Sequence, residues 1–257
     1  MKSLTRSAIV GFFSLTSIVG CGGGGGGGGA SDTCSTLRIA GGDQCPTPPA
    51  AVVAVLTSGG YCSGTFVTKR HVLTAAHCVW EGSRGVRVES PYFRASATRT
   101  QVHPLFNPAS DSDEHDLAVV TIGQDAPVTP VAINTSSLVQ QGESVVTYGY
   151  GLDEKDQDAY DRISSGEAAV KATTLDVISV SDFAIESISD GSGDTCRGDS
   201  GGSLLRTGNN GQPGIVAIVR AGPYECLPEG GSSDNTNLQS SSNLNFLRGA
   251  APGVRFN

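Results

Sequence analysis

Glycine supplies 35 of the 257 residues, and each one inside a helix costs roughly 1 kcal/mol relative to alanine. Val, Thr and Ser are frequent between the glycines, and few long uninterrupted helical patterns remain. This combination predicts many short strands joined by turns, hence an all-β protein. The length fits one large domain or two small ones and is enough to bury a sizeable core. With 38% hydrophobic and 16% charged residues, the chain reads as soluble and globular rather than disordered.

The first residues, "MKSLTRSAIVGFFSLTSIVGC", place Lys2 and Arg6 ahead of a short apolar run from Ala8 to Val19. That is the pattern of an export signal, too short and too one-sided for a membrane span. Its ending "SIVGC" resembles a bacterial lipobox, which implies a signal peptide over 1–20, cleavage before Cys21, lipidation of Cys21 and anchoring in a membrane of the cell envelope. An ordinary signal peptide cleaved near Ala30 is the alternative. The lipoprotein reading also accounts for the odd number of cysteines, 7. Gly22 to Gly29 is an unbroken glycine run that reads as a flexible tether. From Gly22 to Arg38 the root-mean-square reach of such a linker is about 20–25 Å.

Setting aside Lys2, Arg6, Arg38 and Asp32, the chain beyond residue 38 keeps 14 basic and 24 acidic residues, a net charge of −10. That balance argues against nucleic acid as a partner and against a polybasic lipid-binding patch. The acids of "DEKDQDAYD", 153–161, read as a solvated loop, and no clean metal-ligand spacing is present.

Three segments carry, in chain order, what a nucleophilic serine needs. "VLTAAHC" places His77 after an apolar run, "EHDLAVVTI" places Asp116 at the head of another, and "GDTCRGDSGG" places Ser200 in a glycine-rich turn. A serine hydroxyl is a weak nucleophile near neutral pH, so an imidazole must take its proton and later return it. A buried carboxylate then orients the imidazole and stabilises its charged form. Asp111 and Asp113 are rival acids in "PLFNPASDSDEHD", but only Asp116 directly precedes the apolar "LAVV".

With these motifs, residues 39 to about 247 resemble the trypsin-like serine endopeptidases of the chymotrypsin family. The resemblance implies a protease domain over 39–257, built as two six-stranded antiparallel β-barrels, about 39–140 and 141–257, with a short C-terminal helix. The site would lie in the cleft between the barrels. It further implies Ser200 as nucleophile, His77 as general acid and base, Asp116 as orienter, and the N–H groups of Gly198 and Ser200 as the oxyanion hole. "LRIAGGD" resembles the family's activation junction: an activating protease would cut after Arg38, and the new ammonium of Ile39 would pair with Asp199. The chain before the cut, 21–38, would then be a propeptide as well as a tether.

Asp194, six residues before Ser200, matches the family position at the base of the pocket that selects Arg or Lys before the scissile bond. In "GIVAIVRAGPYEC", Ala217, Ile218 and Val219 fall where trypsin-like chains carry Ser, Trp and Gly, and Val219 would narrow the pocket entrance. Asn235 is expected in place of a further pocket glycine. Specificity for small residues is therefore an alternative. The resemblance also implies bridges Cys62 to Cys78 and Cys196 to Cys226, leaving Cys34 with Cys45 by elimination.

The expectation is an exported, lipid-tethered, monomeric serine endopeptidase made as a zymogen. Its chemistry requires no metal or organic cofactor, and its partners are polypeptide substrates, an activating protease and a membrane reached through the lipid. Two other classes stay open. One is a binding module on an inactive protease scaffold, which loss of a triad member would favour. The other is a structural surface lipoprotein, which would leave the triad and the "RIAGG" junction unexplained.

Overall fold

The computed structural model describes residues 50–82, 84–110, 114–152, 159–165, 170–189, 191, 193–223, 226 and 231–257. Twelve strands dominate the described residues. They are β1 (Val52–Thr57), β2 (Gly60–Phe66), β3 (His71–Thr74), β4 (Arg87–Ser90), β5 (Phe93–Val102), β6 (Ala118–Ile122), β7 (Ser144–Gly149), β8 (Lys171–Val180), β9 (Ala184–Ser189), β10 (Ser203–Thr207), β11 (Pro213–Ala221) and β12 (Ser232–Asn237). Every pairing between them is antiparallel. The strands close into two six-stranded barrels, β1-β2-β3-β6-β5-β4 and β10-β11-β12-β9-β8-β7. Closure removes the unpaired edges that an open sheet would expose.

The unbroken apolar run of β1, "VVAVLT", follows from its position between two cores. Val53 and Val55 point into the first barrel with Phe66, Val72, Val88 and Val120. Val52, Ala54 and Leu56 point the other way, onto Tyr148, Tyr150, Val170 and Ala172 of the second half. Alternate side chains of a strand face opposite sides, so a strand buried on both faces loses its polar alternation.

The same division recurs at β3, β6 and β11. Leu73, Leu117 and Val119 from the first barrel meet Ile215 and Ile218 from the second, together with Leu247, Ala250 and Ala251 at the C-terminus. The second barrel is filled by Val145, Leu175, Ile185, Leu204, Val216, Ala217 and Val219. The two barrels therefore share buried walls.

Two helices complete the described chain, α1 (Ala159–Ser165) and α2 (Ser241–Ala250). Ser240 caps α2 by accepting the Asn243 N–H at 3.3 Å. Leu247 and Ala250 on its inner face seal the wall between the barrels. No helix among the described residues is long and apolar enough to cross a membrane.

Candidate active site

Each candidate residue stands where a strand begins or ends. His77 lies in a short 3-10 turn, Ala76–Cys78, that follows β3. Asp116 precedes β6, and Ser200 precedes β10. Because β3 and β6 are paired, Thr74 opposite Ala118, the histidine and the aspartate emerge at the same end of the first barrel.

Asp116 is 0% exposed. Its Oδ1 accepts the His77 backbone N–H at 2.8 Å, and its Oδ2 lies 2.6 Å from His77 Nδ1. One carboxylate thus fixes both the main chain and the ring of the same histidine. With Nδ1 carrying its proton toward Asp116, Nε2 is the nitrogen left to exchange one. Thr236 on β12 donates to the Asp116 carbonyl at 3.2 Å, so the second barrel also holds this residue in place.

His77, Gly198 and Ser200 line one open cleft of about 630 Å³, walled by Tyr61, Trp80 and the Cys62 to Cys78 disulfide. A groove of similar volume beside Leu138 and Phe183 contains no imidazole. The ligand atoms of Cys62, His77 and Cys78 lie within 4.8 Å of one another. Both sulfurs are spent in one disulfide, so the trio has no thiolate to offer a metal.

The loop that carries Ser200 is shaped by short hydrogen bonds. Ser63 of β2 donates its N–H to the Ser200 carbonyl at 2.8 Å and its hydroxyl to the Gly198 carbonyl at 2.8 Å. Gly198 has a φ of +94°, and a Cβ there would come within 2.3 Å of the Tyr61 ring, so no other residue fits. The N–H groups of Gly198 and Ser200 have no acceptor among the described residues. Cys196, at the start of this loop, is bridged to Cys226.

Asp199 is 0% exposed. Its two oxygens accept the N–H of Gly151 at 2.8 Å and of Cys196 at 2.9 Å. Burial pushes its carboxyl up to about 7, against the pull of those two N–H groups and of the Lys171 charge. A Cβ at Gly149 or Gly151 would stand 2.0 Å from an Asp199 oxygen, which explains the glycines of "GYG".

Asp194 is also fully buried, and that burial raises its carboxyl above the usual range, opposed by the Thr195 N–H, the Ser233 hydroxyl and the nearby Gly231 N–H. Its Oδ1 takes the Thr195 and Ser233 bonds, at 2.7 and 3.3 Å. Its Oδ2 has no hydrogen-bond partner among the described residues. A Cβ on Gly231 would lie 2.3 Å from that oxygen, and a Cβ on Gly222 would lie 2.4 Å from Thr195 Oγ1. Gly231 thus forms a close wall against Asp194, and Gly222 one against the next residue, Thr195.

The strand expected to wall the pocket has a different register. Ala217 and Val219 are buried inside the second barrel, and Ile218 is buried in the wall between the barrels. None of the three reaches the cleft. β11 bulges at Arg220, between Val219 and Ala221, where it runs beside β12. The Arg220 carbonyl accepts from Ser200 Oγ at 3.4 Å, while its guanidinium pairs with Asp234. Asn235 is likewise buried, donating to the Ile185 carbonyl at 2.8 Å. The glycine expected at its place is Gly231.

Sequence reasoning missed Ser63, Lys171, Arg220, Gly222 and Gly231. Of these only the glycines left a signal, in "AGP" and "EGG", three residues after Val219 and four before Asn235, where pocket glycines were expected. Cys21, Cys34, Arg38, Ile39, Cys45, Asp111 and Asp113 lie outside the described residues.

The model of the family described as Trypsin matches residues 39–234. Among curated relatives, a serine protease of Drosophila melanogaster, ea, is 26% identical over 217 residues. That match covers 65% of this chain, and it spans only 54% of the relative's length. The thrombin-like enzyme CPI-enzyme 2 of Gloydius ussuriensis is 29% identical, covering 75% of this chain and 80% of its own. Kallikrein-2 of Homo sapiens is 28% identical, covering 75% and 82%. A solved structure of neuropsin, a serine protease expressed in mouse brain, superposes with a TM-score of 0.59 at 22% identity, covering 75% of this chain and 92% of that one. At that identity the superposition speaks for the fold: two six-stranded barrels and a short C-terminal helix. With the family model matched over most of the chain and the barrels closed as described, this chain belongs to the trypsin family of serine endopeptidases.

Proposed function

We propose that the chain hydrolyses peptide bonds through a triad of Ser200, His77 and Asp116, after Arg or Lys, as an exported, lipid-anchored zymogen. The observation that carries the reading is the wholly buried Asp116 carboxylate, held 2.6 Å from His77 Nδ1 in a cleft that Ser200 also lines. In this mechanism Ser200 Oγ attacks the substrate carbonyl carbon while His77 Nε2 takes its proton. The resulting oxyanion meets the N–H groups of Gly198 and Ser200, both without an acceptor among the described residues. His77 then gives the proton to the leaving amine, and an acyl-enzyme forms on Ser200. Water, deprotonated by His77, releases the acid product. All three triad members are present, which favours catalysis over a binding role on an inactive scaffold.

The basic preference rests on Asp194. One of its oxygens is buried without a partner among the described residues, and Gly231 approaches it closely, as Gly222 approaches Thr195. A carboxylate in that state is complementary to a guanidinium or an ammonium. With Val219 buried in the barrel, the reason for expecting a narrowed entrance falls away.

Activation and anchoring are read from the sequence. Cleavage after Arg38 would create the Ile39 ammonium to pair with Asp199, whose burial makes an added cation valuable. The same cut would sever the only peptide link to lipidated Cys21. A Cys34 to Cys45 disulfide would span the cut and hold the active enzyme at its membrane.

Three outcomes test these assignments. Ser200→Ala is expected to lower kcat by about 10⁴-fold or more; turnover near that of the parent in a contaminant-free sample contradicts the triad. Asp194→Ser is expected to cost about 10²-fold or more in kcat/KM for Arg and Lys substrates, and much less for Ala or Val substrates. Since burial raises the Asp194 carboxyl, acidification should protonate it sooner than a surface carboxylate. The parent's preference for basic over neutral substrates should therefore fade at a correspondingly higher pH. A parent enzyme that prefers Ala or Val contradicts the assignment. Finally, membranes carrying the lipidated protein, cleaved after Arg38, should release the catalytic domain only when a reductant is added. Release without reductant contradicts the disulfide tether, and Cys21→Ala should make the whole chain soluble.

A further inference from the structure

His115, the residue before Asp116, and His103, which follows β5, are 6% and 3% exposed. Their rings stack with centroids 4.4 Å apart and 8° between the planes. Phe246 of α2 packs edge-on against His103 at 5.0 Å, and Phe183 edge-on against His115 at 5.6 Å. Two imidazoles so close and so dry cannot both carry a charge. The triad chemistry gives neither of them a task.

Hydrogen bonds fix the protons of the pair. Asn243 Nδ2 donates to the Asn237 carbonyl at 2.7 Å, so its oxygen faces His115 Nδ1 at 3.1 Å, and that nitrogen carries the proton. The Leu105 N–H donates to His103 Nδ1 at 3.2 Å, so the proton of that ring sits on Nε2, 3.3 Å from Ser242 Oγ. A second proton on His103 would set one N–H against another. Burial and His115 push His103 down to about 4, against its bond with Ser242. Near neutral pH His103 is an uncharged plate that holds the His115 ring flat.

We propose that His115 is a positioning residue, through which the first turn of α2 sets where Asp116 presents its carboxylate to His77. This rests on the reading of Asp116, His77 and Ser200 as a triad. The His115 carbonyl accepts the Leu117 N–H at 2.7 Å, closing a three-residue turn with Asp116 at its centre. So tight a turn leaves its middle residue little freedom, and Thr236 holds the Asp116 carbonyl at 3.2 Å. His115 supplies the other hold. Its Nδ1–H is tied to Asn243, which is 0% exposed and whose own N–H is bonded to the Ser240 cap. The carboxylate contact that this path serves is 2.6 Å long, and a misplacement of about 1 Å in such a contact can cost about 10²-fold in rate.

The test uses the full-length protein cleaved after Arg38, as the parent, His115→Phe, Asn243→Ala and the double variant. Turnover of an arginine ester is measured across pH. Phenylalanine keeps a ring in the stack and removes the N–H that reaches Asn243. His115→Phe is expected to lower kcat by about tenfold or more with KM within about twofold of the parent. The acid limb of kcat/KM, which reports His77, should move to lower pH, because Asp116 is the charged group bonded to His77 and a displaced carboxylate stabilises the imidazolium less. Asn243→Ala should act in the same direction, and the double variant should lose less than the product of the two single losses. A kcat that does not fall overturns the proposal. So does a fall with an unmoved acid limb, the mark of a merely structural histidine, and so do losses that multiply in the double variant. If His115→Phe does not fold, Asn243→Ala decides alone by the same kcat and acid limb. Neutral variants beside an active parent overturn this proposal and leave the triad standing, whereas an inactive parent overturns both.

Discussion

A carboxylate sealed from solvent organises the reactive end of this molecule. Asp199 accepts two backbone N–H groups, from Gly151 and Cys196, and burial pushes its carboxyl up to about 7. Satisfying it dictates much of what surrounds it. Gly149 and Gly151 are glycines because a methyl group would collide with its oxygens. Ser63 reaches across from the first barrel to hold the carbonyls of Gly198 and Ser200 on either side of it. The N–H groups of Gly198 and Ser200 are left without an acceptor among the described residues.

The second requirement is that two separately closed barrels meet along walls buried on both faces. Val52, Ala54 and Leu56 on one side of β1, and Ile215 and Ile218 on one side of β11, serve the contact rather than the barrel interiors. Across this wall the second barrel fastens parts of the first. Thr236 holds the Asp116 carbonyl, and the Asp116 carboxylate holds His77. A shift between the barrels would therefore disturb the histidine before it disturbed either core.

Much of this was legible in the sequence where a residue's role is local. Glycine frequency and the valine-rich runs pointed to short antiparallel strands. "GDSGG", "AAHC" and "HDLAVV" marked three residues, of which His77 and Ser200 line one cleft and Asp116 is bonded to His77. What was hidden depends on register and on distance along the chain. Ala217, Ile218 and Val219, which looked like a pocket wall, are core, and the glycine expected at Val219 stands three positions on, at Gly222, just past the bulge at Arg220. Gly231 takes the place beside Asp194, and Gly222 the place beside Thr195. Lys171 gave no signal at all, because a lysine opening a strand reads as a solvated end until the fold closes around it.

The central claim is that one serine, activated by His77, is the nucleophile. The most direct measurement is mass spectrometry of the cleaved protein after inactivation by an organophosphate ester, with residual activity followed in parallel. The account predicts one phosphoryl adduct per chain, on the peptide containing Ser200, growing in step with the loss of activity. Inactivation with the adduct on another residue, or full activity remaining after Ser200 is fully modified, would contradict it.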